Sequence, residues 1–146
     1  MSNDFFNQHK SLLEDAIAAT ESRGYYSAYP EVPSGKIYGE NAKQEGIDAF
    51  DMYKDSVFTL DQYSSDATVG AEQSPYGFNI GAHYPKTDIN DLVEHIKDEC
   101  PAWRNATVET RVGCALEILH RLNKRSFEMA FAVMHTTGQG FMMAFQ

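Results

Sequence analysis

Cysteine is scarce in this chain, tryptophan scarcer, and concentrated positive charge is missing altogether. The two cysteines, Cys100 and Cys114, belong to no C-x-x-C pair. They exclude a disulfide framework, and a reducing compartment is expected to keep both as thiols. Cys100 stands before Pro101 and beside Asp98 and Glu99, where acidic neighbours disfavour a thiolate. Cys114 is spaced with Val108, Val112 and Leu116 as a small buried hydrophobe would be. Twelve basic residues against 21 acidic ones leave a net charge of −9. No basic run exceeds Lys124-Arg125, so nucleic acid and anionic membranes are excluded as expected partners. The longest apolar run, Met129 to Met134, falls far short of the roughly 20 residues that cross a bilayer. The opening MSNDFFNQHK has no signal-peptide pattern, and a cytoplasmic protein is expected. Without a secretory signal the sequon Asn105-Ala106-Thr107 carries no weight. His9, His83, His95, His120 and His135 offer no i, i+4 pair around a glutamate, so metal-ligand spacing is absent.

Aromatic residues are plentiful, with nine Phe and eight Tyr. That composition suits a folded chain, and 146 residues suit a single domain over 1–146 with a sizeable core. No internal repeat or linker interrupts it. Phe5, Phe6, His9, Leu12, Leu13, Ala16 and Ile17 predict a first helix, capped at Asn3 or Asp4 and ending near Arg23-Gly24. The prolines and glycines of GYYSAYPEVPSGKIYG predict a wrapping loop whose tyrosines cover apolar surface. A second helix is expected from about Gly39 to Val57, weakened by up to about 1 kcal/mol at Gly46. Phe58 to Tyr63 reads as a short extended piece. The turn signals Val69-Gly70 and Pro75-Tyr76-Gly77 predict a small strand pair or hairpin.

Asp88 should cap a helix bearing Ile89, Leu92, Val93 and Ile96, which Pro101 is expected to end or kink. Thr107 is a cap for the next helix, with Glu109 favoured in its first turn. Its apolar positions Val108, Val112, Ala115, Leu116, Leu119 and Leu122 predict one buried face. A further helix from about Ser126 ends at Gly138. The fold class expected is mostly α with a short β-hairpin or strand pair.

Gly138-Gln139-Gly140 to Ala144 matches the spacing G-x-G-x-x-A of a dinucleotide loop. Such a loop needs a strand entering, a helix leaving and an acidic residue about 20 positions on. Here the entering segment is helical by pattern, and a plain helix-turn-helix is the reading. Carboxylate pairs such as Glu14-Asp15 and Asp98-Glu99 lie opposite apolar helix faces as solvated surface. Trp103 and Arg111 read as structural anchors, an aromatic at a helix junction and an arginine available to a cap or ion pair. From Phe127 to Gln146 twelve of twenty residues are apolar. Leaving Phe141, Met142, Met143 and Phe145 in water would forgo roughly 1.5–3 kcal/mol each, about 6–12 in all. A partner subunit or further polypeptide is expected to cover them.

The runs EQSPYGFNIGAHYP, WRNATVETRVGCALEILHRLNKRSFEMAFAVMHTTGQ and FMMAFQ resemble the aldehyde dehydrogenase superfamily, and within it the phenylacetic-acid-degradation branch. The likeness is most specific at Ser74 to Gly77, Trp103-Arg104, Arg111-Val112-Gly113, Ser126-Phe127-Glu128 and Met134 to Gln139. Most members place Lys after the Thr-Gly pair, where Gln139 stands here, a difference that branch tolerates. The resemblance implies the β-arm and first helices of an NAD(P)-binding domain, the leading fragment of an α/β enzyme. The complete enzyme would oxidise an aldehyde with NAD or NADP, through a cysteine thiohemiacetal, hydride transfer and glutamate-assisted attack of water. The resemblance places that cysteine, that glutamate and the nucleotide site beyond Gln146. No residue is therefore assigned a catalytic, cofactor-binding or metal role, and no cofactor is expected on this chain alone. A homo-oligomer is expected. A free-standing helical interaction module, or a small-ligand binder built on the tyrosine-rich loop, are the other classes the sequence leaves open.

Overall fold

A computed structural model describes residues 4–59 and 65–145, with their side chains except that of Glu99. The chain divides into two compact units, Met1–Pro30 with Val93–Lys124, and Glu31–Leu92 with Arg125–Gln146. Neither composition nor a linker marks this division in the sequence. The expected fold class is found, since among the described residues helices dominate and the strands form two short antiparallel pairs.

In the first unit α1 (Asp4–Ser22) packs along α5 (Val108–Lys124). The Oγ1 of Thr107 accepts the amide of Thr110 at 3.2 Å, the cap that its sequence position predicts. The two helices approach closely because Gly113 faces α1: a Cβ there would come within 2.9 Å of Phe6 Cα. This contact corrects the face expected of α5. Thr110 and Gly113 are buried, whereas Val108 is 62% exposed, Leu119 49% and Leu122 42%. Close helix contact selects small side chains over long ones, so the line through Thr110 and Gly113 is covered, while Val112 and Leu116 of the apolar stripe are only half-buried.

The boundary between Leu92 and Val93 falls inside α4 (Ile89–Arg104). Asp88 Oδ1 accepts the amide of Asn90 at 2.8 Å, as expected of its cap. Pro101 does not end this helix but lies within it. It stands so near the end that the amide of Asn105 still closes the final turn on the Pro101 carbonyl, 3.0 Å away. Trp103 sits in that last turn, half-exposed, and fills no junction of the kind expected. Arg111 is exposed on α5 and makes no ion pair among the described residues.

The second unit begins with α2 (Gly35–Tyr38), a single turn inside the expected loop, where Ser34 Oγ accepts the amide of Lys36 at 3.3 Å. Then α3 (Ala42–Asp51), shorter than expected, crosses α6 (Ser126–Thr137). The crossing falls at Gly46, whose Cβ, if present, would lie 2.5 Å from Phe127 Cβ. Gly138, left-handed at φ 80°, closes α6 by donating to the Met134 carbonyl. The strand β1 (Thr68–Val69) pairs with β4 (Tyr84–Pro85), and β2 (Gln73–Ser74) with β3 (Phe78–Asn79). Pro75-Tyr76-Gly77 turns the second pair, with the Gly77 amide on the Ser74 carbonyl at 2.9 Å and Gly77 at φ 94°. Phe58 donates to His83 at 2.7 Å, and the rest of the extended piece expected to Tyr63 lies outside the described residues from position 60.

Phe50, Ile80, Ala82 and Phe131 form the core of this unit. The last helix, α7 (Phe141–Phe145), adds to it and corrects the expectation of a bare end. Phe141 lies 4.8 Å from the ring of Phe131, and Phe145 lies 4.9 Å from Phe127 and 5.6 Å from Tyr38. Residues four apart share one helical face, so both phenylalanines turn inward together. Met142 and Met143 point outward, 51% and 68% exposed. The cost of leaving this end open thus halves, to roughly 3–6 kcal/mol.

Candidate functional site

The second unit carries a cavity with a charged edge. Arg125 precedes the first turn of α6 and Glu128 follows three residues later, so their side chains meet on one helical face. The guanidinium grips the carboxylate with both ends, Nε to Oε2 at 2.9 Å and Nη2 to Oε1 at 2.5 Å. Nη2 also donates to the Tyr53 hydroxyl at 2.7 Å. This bonding holds Glu128 below the usual carboxylate range, against the opposing effect of burial, and raises the already high pKa of Arg125. Beside the pair lies a cavity of about 170 Å³ lined by Phe50, Tyr53, Phe58, Ile80, Ala82, Tyr84, Met129 and Ala132. It borders an open cleft of about 510 Å³ that shares Tyr53, Phe58, Arg125 and Glu128 and runs over Met52, Ser56, Val57 and Thr59. Burial pushes the Tyr84 hydroxyl up, with the Glu72 charge adding to it.

A second cluster surrounds His135. Its Nδ1 lies 3.0 Å from Ser74 Oγ, which also accepts the amide of Tyr76 at 3.2 Å. The imidazole stacks on Phe50 at 5.0 Å and meets the edges of Phe78 and Tyr76 at 4.9 and 5.5 Å. Burial and then the nearby Lys54 lower its pKa, opposed by Asp51, so it is neutral at pH 7. Ser74 is buried, and the bond between its Oγ and the His135 Nδ1 takes its donor from the tautomer of the ring. The pair ties β2 to α6.

In the first unit His9 Nε2 and Arg121 Nε both bond Glu117, at 2.8 and 2.7 Å, and the His9 and His120 rings stand 5.3 Å apart. Hydrogen bonds from Arg121 and then His9 hold the Glu117 carboxyl below its usual value. Among the described residues no group of three or more His, Cys, Asp or Glu is arranged to hold a metal ion. Cys100 and Cys114 are half-buried free thiols. The segment from Gly138 to Gly140 joins α6 to the five-residue α7. A helix enters where a dinucleotide loop needs a strand, so these residues do not fit a nucleotide pyrophosphate. No described helix is long and apolar enough to cross a membrane.

Arg125 and Glu128 carried a readable signal, an i, i+3 pair at a helix start. Tyr53, 72 residues away from Arg125, carried none.

Helices with two short strand pairs, joined in this order, are the construction of part of an α/β aldehyde dehydrogenase. In sequence and in fold the chain corresponds to a segment of an aldehyde dehydrogenase superfamily protein. It is similar to the solved structure of the NAD-dependent aldehyde dehydrogenase from Burkholderia multivorans, at 47% identity and a TM-score of 0.92. The match covers 100% of this chain and 26% of that one, so the chain spans about a quarter of the relative's length. No family model matches the chain, and no curated protein does.

Proposed function

We propose that this chain is the leading segment of an NAD(P)-dependent aldehyde dehydrogenase of the phenylacetic-acid-degradation type, and that it does not oxidise aldehydes by itself. The observation that carries the reading is 47% identity across the whole chain to an enzyme of which it spans 26%. The branch rests on the sequence runs around Ser74 to Gly77 and Met134 to Gln139. The helix that precedes Gly138, where a dinucleotide loop needs a strand, supports the absence of activity in the isolated chain. The remaining polypeptide, or a partner subunit, covers Met142 and Met143 in this reading and supplies the nucleotide site, the cysteine and the glutamate. A cytoplasmic homo-oligomer is the expected native form. The test is reduction of NAD and NADP by the purified chain with phenylacetaldehyde and with a short aliphatic aldehyde, beside the intact mass of the native protein. No turnover, with a native mass several times that of this chain, is expected. Clear turnover would overturn the reading.

A second reading, a free-standing helical interaction module, is favoured by the exposure of Ile89, Val93 and Ile96 on α4 and of Val108, Ile118 and Leu119 on α5. It requires the 146-residue chain to form a stable oligomer in sedimentation experiments, with native mass equal to a multiple of its own 16.4 kDa.

A further inference from the structure

We propose that the cavity between Tyr53 and Tyr84 is a binding site for an uncharged, single-ring aromatic molecule. The proposal does not rest on the dehydrogenase reading. Its size fits, because a dry apolar cavity of about 150 Å³ holds benzene, and this one measures about 170 Å³. Its walls fit as well. The ring of Phe58 stands 5.7 Å from Tyr53 and 6.0 Å from Tyr84, tilted to both, which presents faces and edges to an incoming ring. Ile80 and Ala82, both buried, complete an apolar lining.

The charged edge decides the charge of the ligand. Arg125 is already committed, to both oxygens of Glu128 and to the Tyr53 hydroxyl. A ligand carboxylate would find a guanidinium that Glu128 already neutralises, with only its Nη1 donors uncommitted, and would meet the negative charge of Glu128 beside it. An ammonium group would have to take Glu128 from Arg125 and meet the guanidinium's repulsion. A neutral ring asks neither group to move. The lining is mainly carbon, with its polar atoms confined to the Arg125–Glu128 edge and the two tyrosine hydroxyls. The adjoining cleft gives the route of entry.

The experiment titrates the 146-residue chain with toluene and, separately, with benzoate, following the 13C methyl signals of Met129 and Ala132. Saturable shifts at these methyls are expected with toluene, and binding about tenfold weaker or less with benzoate. Ala132→Leu fills the cavity and should abolish the toluene shifts. Because a larger side chain in a core can unfold it, Met129→Trp provides a second block from the exposed rim, with the fold checked by its amide spectrum. Equal binding of benzoate, shifts that survive both substitutions, or no saturation at the solubility limit of toluene would each refute the site.

Discussion

Gly46 offers a test in which helix propensity and packing predict opposite signs. In an isolated helix Gly→Ala is favourable by about 1 kcal/mol. In α3, however, the new methyl would lie 2.5 Å from Phe127 Cβ, 2.9 Å from the Phe127 carbonyl carbon and 3.1 Å from the Glu128 amide nitrogen. Two of these atoms are backbone, and the third is fixed to it. Relief requires the two helices to separate by about 1 Å, and overpacking of this kind costs about 1–3 kcal/mol, occasionally more. Rigid contacts belong at the upper end of that range, so Gly46→Ala is expected to destabilise the chain by about 1–2 kcal/mol net of the propensity gain. At a few degrees per kcal/mol for a chain of this size, the melting midpoint should fall by about 3–8 °C. Thermal unfolding followed by far-ultraviolet circular dichroism measures it. Phe127→Ala retains the offending Cβ and therefore should not rescue Gly46→Ala. A midpoint equal to or above that of the parent would refute the reasoning, and rescue by Phe127→Ala would place the crowding on the ring instead.

Three further outcomes follow from the same contacts. Thr107→Ala removes the cap of α5 and should cost about 1 kcal/mol in chemical denaturation, while Thr107→Ser should cost little. Glu117 has a folded pKa below its ordinary value of 4.5. It therefore binds its proton more readily in the unfolded chain, and its stabilisation is present above that value and lost as pH falls through the depressed one. Glu117→Gln should flatten this acid limb in melting curves recorded against pH. Lys54→Met removes a cation that disfavours protonation of His135 and frees Asp51, which favours it, so the imidazole should titrate at higher pH by NMR.

Three helix boundaries were legible because they depend on a few adjacent residues. Asp88, Thr107 and Gly138 each bond the backbone within four positions of themselves, and each marks its boundary as read. Which face of a helix is buried depends on a neighbour that may be a hundred residues away. Periodicity located the stripe Val108, Leu119 and Leu122 on α5, yet α1 chose the line through Thr110 and Gly113, where only small side chains permit contact. The same limit hid the inward face of α7, since Phe141 and Phe145 needed Phe127 and Phe131 to define it. The cavity was hidden for the same reason. Its lining comes from α3, the strands and α6, and no short window of sequence contains more than a few of its residues.

The alternation of the two units along the chain fixes an order of events during synthesis. His9 meets a partner 108 residues downstream. At about 5–20 residues per second, α1 leaves the ribosome some 5–20 seconds before α5 can follow. Most of the stability of a helix in a protein comes from packing its apolar face, which α1 lacks until then. Over that interval its inner side lies open to chaperones, proteases and other nascent chains. The segment from Glu31 to Leu92 emerges during the wait but cannot finish its own unit until α6 arrives. The first unit is therefore completed at Lys124 and the second only afterwards, and a ribosome stalled before position 108 holds a chain in which neither can close.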